Sequence, residues 1–220
     1  MVGRKILALA ALLSLGGCGG AAQWPDLATG PASGPTAPAG VESVRAPAWR
    51  VGSEWQYSDG YGLKVVRVDG PLTTFQRLDD PGQWVTRRGF LREDAQSATT
   101  LRKLLFEDLP PGAGLVLSAK TPLTYRREYA AGSAERTHAT SWTVEGRETV
   151  KVPAGEFDCF VLAMRTRNLA DGWTGFERWW YSPRAQNYVR MDYRYGPDAT
   201  GSRVLTSYHL ADGPAPLAAQ

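Results

Sequence analysis

Only two cysteines and two histidines occur in the 220 residues. Cys18 and Cys159 cannot supply a disulfide framework, so the fold has to hold by packing. A metal site would have to draw on His138, His209 and Cys159, and none of the Cys/His spacings of zinc sites occurs. No metal and no cofactor is expected. No apolar run approaches the ~18–20 residues that a membrane-spanning helix needs. Gly-rich pieces such as Gly60-Tyr61-Gly62 read as turns, and none sits between a strand and a helix as a phosphate-binding loop would. The acidic pairs Glu93-Asp94 and Glu107-Asp108 are adjacent residues, which on a strand point to opposite faces and do not converge as a glycosidase pair does.

The N-terminus is the most distinctive stretch present. Arg4 and Lys5 precede the ten-residue apolar run Ile6 to Leu15, which ends in Leu15-Gly16-Gly17-Cys18. Length, charge and small terminal residues are those of a secretory signal peptide. The ending resembles a bacterial lipobox. That resemblance implies cleavage after Gly17 and a diacylglycerol thioether on Cys18. Each acyl chain contributes roughly 0.8 kcal/mol per buried methylene, and stable anchoring takes more than one chain. Gly19 follows the cysteine where inner-membrane lipoproteins often carry Asp, so by the same resemblance the outer membrane is expected. With Cys18 committed to lipid, Cys159 has no partner within the chain. The chain carries 25 Lys+Arg against 22 Asp+Glu. Removing residues 1–17 takes away Arg4 and Lys5, so 23 basic residues face 22 acidic ones and the net charge is +1. This balance gives no argument for nucleic acid.

From Gly19 to Gly40, 18 of 22 residues are Gly, Pro, Ala, Ser or Thr. Such a segment cannot bury enough apolar surface to offset the entropy of ordering it. Residues 18–48 are therefore expected to be the lipidated cysteine and a flexible tether. Its ~30 residues span roughly 30 Å as coil. An envelope domain over 49–212 and a loose tail over 213–220 complete the expected organisation.

Within 49–212, short runs rich in Val, Tyr, Trp, Phe and Thr alternate with Asp-Gly, Pro-Gly and Gly-Pro turns, a strand-and-hairpin signature. The expected fold is all-β, an antiparallel curved sheet or an open barrel or sandwich, with at most one short helix. Expected strands are Glu54–Tyr57, Leu63–Val68, Leu72–Leu78, Gln83–Arg88, Leu115–Leu117, Leu123–Tyr129, His138–Glu145, Glu148–Val152, Phe157–Thr166, Phe176–Tyr181, Tyr188–Tyr195 and Arg203–Leu210. Phe157–Thr166 is apolar on both faces and should be covered on both sides. Residues 91–109 fit either a short helix capped at Ser97 or Thr99, or a buried strand such as Leu101–Phe106.

Trp142-Thr143-Val144-Glu145-Gly146, the run Val152-Pro153-Ala154-Gly155-Glu156-Phe157, Trp180-Tyr181-Ser182-Pro183 and the opening Gly52 to Tyr57 form a pattern. It is similar to uncharacterised all-β periplasmic or lipoprotein families, some of them compared with the half-barrel of lipoprotein carriers and their outer-membrane receptor. The resemblance implies architecture and location, and almost no chemistry.

The aromatic cluster Trp173, Phe176, Trp179, Trp180, Tyr181, Tyr188 is the candidate ligand-binding feature. Trp173, Trp179, Trp180 and Tyr181 are its core. An exposed shelf of such rings would suit a sugar ring, a peptide or an acyl chain; the bland alternative is that they fill the core. Arg87, Arg88, Arg92 and Arg102 are candidates for a basic patch, with a solvated sheet edge as the commoner outcome. Cys159 alternates with Phe157 and Val161, which makes it a core residue and no nucleophile. The expected function is a non-catalytic, lipid-anchored envelope module binding a glycan, a lipid or another envelope protein. A carrier-like receptor is the alternative, and an envelope hydrolase the third reading. An apolar cavity would favour the carrier, and polar groups converging in a cleft the enzyme.

Overall fold

The computed structural model describes residues 43–96, 101–105, 109, 112–131 and 134–212. The expected signal peptide, Gly17, Cys18, the expected tether up to residue 42 and the expected tail 213–220 lie outside the described residues. The first strands are β1 (Ser43–Arg45), β2 (Glu54–Tyr57), β3 (Gly62–Asp69), β4 (Leu72–Arg77), β5 (Trp84–Arg88), β6 (Leu91–Gln96) and β7 (Leu101–Leu105). They are followed by β8 (Val116–Ser118), β9 (Leu123–Ala131), β10 (Ala134–Val152), β11 (Gly155–Asn168), β12 (Thr174–Ser182), β13 (Asn187–Tyr195) and β14 (Ala199–His209). No helix occurs among the described residues. Twelve strands form one antiparallel sheet in the order β6-β5-β4-β3-β2-β14-β13-β12-β11-β10-β9-β7, and β1 and β8 form a separate two-stranded ribbon.

The sheet curls but does not close. Among the described residues no ladder joins the two edges, β6 and β7. The curl is strong enough that elements far apart in sheet order touch across the inner face. Arg87 of β5 lies over the ring of Trp179 of β12, 5.2 Å from its centroid. Phe90, in the β5–β6 turn, meets Tyr181 edge to face at 5.1 Å. Trp55, Leu63, Val65, Phe75 and Leu205 are fully buried in the half built from β2–β5 and β14. Ring-on-ring contacts, such as Trp49 against Phe75 at 5.0 Å, fill this half as aromatic cores do.

Several boundaries differ from the sequence reading, each for a physical reason. Residues 43–48 were assigned to the tether, yet Ser43–Arg45 pairs with Val116–Ser118 and Val44 and Trp49 are buried. The β-domain thus includes residues ahead of 49. Of the two alternatives for 91–109, strands hold wherever residues are described: Leu91–Gln96 pairs with β5 and Leu101–Leu105 with β9. The two expected strands His138–Glu145 and Glu148–Val152 are one strand of 19 residues, bulged between Val144 and Gly146. A bulge keeps a strand going with one extra residue and a local bend. Strand β11 is an interior strand, buried on both faces from Val161 to Met164 as its double-faced apolarity requires.

Three of the four motif pieces meet around the β12–β13 turn, while the fourth, Trp142–Gly146, lies in β10. Trp49 Nε1 donates to the Gln186 carbonyl (2.8 Å) and Trp55 Nε1 to the Ala185 carbonyl (2.7 Å). The Val152–Phe157 turn reaches across β12 and β13 to β14, where Ala154 N–H donates to the Leu205 carbonyl (3.2 Å). Arg184 lies over the Phe157 ring at 4.1 Å. These residues make scaffold.

Candidate functional site

Strand β12 carries Glu177 and Trp179 on its inner face and Phe176, Arg178 and Trp180 on its outer face, as period-two alternation requires. Beside Glu177 and Trp179 lies a cavity of about 220 Å³. Phe90, Trp142, Trp173 and Tyr125 supply further aromatic wall, Met164 is its aliphatic part, and Arg92, Arg127, His138 and Tyr195 bring polar atoms to it. Phe90 comes from the β5–β6 turn and Trp173 from the loop before β12; the others come from the inner-facing sets of their strands. Trp142 pairs with Met164 and Met164 with Glu177 across β10, β11 and β12, so the three stand in one row.

Glu177 is 4% exposed and is held from two sides. Trp179 Nε1 donates to its Oε2 at 2.8 Å, and the Tyr195 hydroxyl donates to its Oε1. Burial by itself would raise the pKa of this carboxyl. The Arg92 charge, the two hydrogen bonds and the Arg127 charge outweigh burial and hold it below its ordinary value. It is therefore a carboxylate at neutral pH. Burial and the neighbouring carboxylate push the Tyr195 phenol well above its ordinary range, so Tyr195 stays a donor. Burial works against the charge of Arg92, but Glu177 more than restores it, and its pKa lies above that of a free arginine.

Trp173 closes one end. It is half-buried, with its ring stacked on His138 at 5.3 Å and parallel to Tyr195 at 6.4 Å. The loop carrying it is fixed by its own backbone: Trp173 N–H donates to Asp171 Oδ1 (2.9 Å) and Asn168 N–H to the Trp173 carbonyl (2.7 Å). The indole lies over Gly175 and Gly196. A Cβ at Gly196 would come within 2.8 Å of Trp173 Nε1, and one at Gly175 within 3.0 Å of its ring. Only glycine lets the ring lie so close.

The sequence candidates therefore separate. Trp173 and Trp179 line the cavity. Trp180 is on the opposite face, 6% exposed, donating from Nε1 to Glu148 Oε2 (2.6 Å) with Arg190 stacked on its ring at 4.4 Å. Tyr181 is packed against Phe90 and 2% exposed. Trp179, Trp180 and Tyr181 thus form no exposed shelf; the curl of the sheet buries Trp179 and Tyr181, and Arg190 and Glu148 cover Trp180 on the outer face. The basic patch is also corrected. Arg87 is 1% exposed between Phe75 and Trp179, Arg92 lines the cavity, and Arg88 pairs with Glu93. The Arg102 side chain lies outside the described residues. His138 is buried, His209 is exposed at the end of β14, and Cys159 is buried elsewhere; no metal-ligand group forms among the described residues. Burial pushes the Cys159 thiol up to about 12, an inert core thiol.

Missed by the sequence reading were Glu177, Arg127 and His138 as inner-facing groups. The available signal was parity: Glu177 shares a face with Trp179, Arg127 with Tyr125, and His138 with Thr140 and Trp142.

Fold and site together define an open, curled all-β trough with a small aromatic cavity holding a buried charge cluster. No family model matches the chain, and no curated protein matches it. Among solved structures, the fold is that of the hypothetical lipoprotein YmcC from Escherichia coli K12, at 9% identity and a TM-score of 0.50, covering 79% of this chain and 85% of that one. A candidate exported protein with a YmcC-like fold from Bacteroides fragilis aligns at 14% identity and a TM-score of 0.41, over 76% of this chain and 99% of that one. At such identities the likeness concerns the fold alone.

Proposed function

We propose that this chain is a lipid-anchored envelope protein that binds a ligand without chemically changing it, in the cavity bounded by Trp142, Trp173 and Trp179. Cleavage after Gly17, acylation of Cys18 and a tether over the following residues would hang the domain in the periplasm, from the outer membrane by the Gly19 argument. The observation that carries the binding reading is the cavity itself, with aromatic walls and a few fixed polar groups. That is the usual make-up of a small-molecule site.

Size and chemistry favour a single ring of a glycan over an acyl chain. At about 220 Å³ the cavity falls below the ≈ 300–1,000 Å³ of sites that enclose drug-sized ligands. Glu177, Arg92 and Arg127 would face an alkyl chain with unpaired charge, which is costly. Catalysis is disfavoured for a different reason. Among the described residues Glu177 is the one carboxylate on the cavity wall, it is stabilised in its ionised form, and its oxygens already accept from Trp179 and Tyr195. A glycosidase needs a second carboxyl, and an acid catalyst needs a raised pKa.

The test compares Trp173→Ala with Trp180→Ala in a binding titration against soluble envelope glycan fragments, with melting curves as the folding control. Loss of binding in the first and its retention in the second is expected. Equal binding by both folded variants overturns the cavity. For the anchor, metabolic labelling with a fatty acid should vanish in Cys18→Ser; label that persists overturns it.

A further inference from the structure

Among the described residues, the charges on the cavity wall do not cancel. Arg92 and Arg127 bring two permanent positive charges, and Glu177 brings one negative charge. Glu177 is also largely committed, since its two oxygens accept from Trp179 and Tyr195. Arg127 is 7% exposed, and its Nε has no hydrogen-bond partner. A buried guanidinium N–H left unmade is expensive, and native proteins keep such groups where something completes them. Arg127 lines the cavity beside Arg92, and the surplus positive charge of the pair calls for an anionic acceptor there. A volume equal to about seven water molecules admits one ring with its substituents. The walls around it are aromatic, the surface on which a sugar ring packs.

Building on the proposed binding role, we propose that the cavity takes an acidic sugar residue of the hexuronate class, its ring against the aromatic walls and its carboxylate on Arg127. Arg92 adds a second positive charge to the cavity wall. Glu177, held by Trp179 and Tyr195, offsets one of the two charges, so a singly charged ring is matched and a neutral one is not. The committed oxygens of Glu177 make it a positioning residue.

Three of the eight tryptophans line the cavity, so intrinsic fluorescence reports occupancy directly, with calorimetry as the second readout. The full chain is titrated with D-glucuronate, D-glucose and benzoate. Glucuronate should bind at least tenfold more tightly than glucose, because the sugars differ in the one charged group that meets Arg127. Arg127→Gln should weaken glucuronate roughly tenfold to a hundredfold, the range for a hydrogen bond to a charged group, and leave glucose unchanged. Arg127→Lys should recover part of the loss by charge without the fork geometry.

Glucose binding as tightly as glucuronate overturns the acidic-ligand inference and leaves the glycan cavity standing. Benzoate binding while both sugars fail also overturns it, in favour of an aromatic acid in the same cavity. If none of the three binds and Trp173→Ala leaves glycan-fragment binding untouched, the cavity is no ligand site and both readings fall. Should Arg127→Gln fail to fold, the wild-type ratio of glucuronate to glucose decides alone.

Discussion

Two arginines are buried on the inner face of this sheet, and their surroundings are opposite. Arg87 lies in the filled half, its guanidinium 5.1 Å from the centre of the Phe75 ring and 5.2 Å from that of Trp179. Its Nε and Nη1 have no hydrogen-bond partner, and rings on both sides leave no space for one. Arg127 lies in the other half, also with an unpartnered Nε, but beside a cavity. Trp179 is the partition between the halves. It packs with Arg87 and Tyr188 on one side, and with Trp142 at 4.9 Å and Glu177 on the other. Sealed by rings, a buried charge is a packing element; lining a cavity with a second arginine, it is the group the proposed ligand would meet.

The largest effect should come from removing the carboxylate that balances the open side. Glu177→Gln keeps the size of the side chain but leaves Arg92 and Arg127 buried without a counter-charge. A loss of roughly 3 kcal/mol in denaturant unfolding is expected. Because the folded pKa of Glu177 is depressed, its contribution is fully present above the ordinary carboxyl value of 4.5 and is lost as pH falls through the folded one. Wild type should therefore lose more stability than Glu177→Gln between neutral pH and pH 3, with the two curves converging in acid. Parallel curves would mean that the carboxylate is not preferentially ionised in the fold.

The arginines themselves come next. Arg87→Ala should cost about 2–3 kcal/mol by opening a void between Phe75 and Trp179. Arg87→Met, which refills it with an apolar chain, should fall within about 1 kcal/mol of wild type or above it, since a partnerless buried charge is no source of stability. Melting temperatures decide. If Met costs as much as Ala, the Arg87 charge is doing something in the sealed half that packing does not describe.

The split between the halves was only partly legible in the chain. Alternation and turn chemistry specify the strands, and they place Trp179 and Trp180 on opposite faces. The recurring motif pieces also stand out. Gly52–Tyr57, Val152–Phe157 and Trp180–Pro183 converge on the β12–β13 turn and β14, so the most recognisable residues belong to the scaffold. Trp142 of the fourth piece, with Trp173 and Trp179, gives the cavity its aromatic wall, but its charged residues stand at core-facing parity and read as a solvated face when only residue type is considered. Burial of Arg92 and Arg127 depends on β6 and β9 curling over β12, a non-local fact. The 91–109 ambiguity has the same origin, since Leu101–Leu105 becomes a strand by pairing with β9.

The smallest predicted effect isolates the closed end of the cavity. Gly196 has φ +66°, where a side chain is strained, and its Cβ would press on Trp173 Nε1. Gly175 lacks that φ constraint, but a Cβ there would come within 3.0 Å of the same ring and 2.8 Å of Thr166. Gly196→Ala should cost about 1–2 kcal/mol from backbone strain and the displaced ring together. Gly175→Ala should cost about 1 kcal/mol, from crowding alone. Both should alter Trp173 fluorescence and weaken ligand binding, while contacts on the sealed side of Trp179 stay as they are. Arg87→Met should do the reverse, touching stability and not binding. A Gly196→Ala variant that is destabilised but binds normally would show that Trp173 serves the fold of that loop and not the cavity it covers.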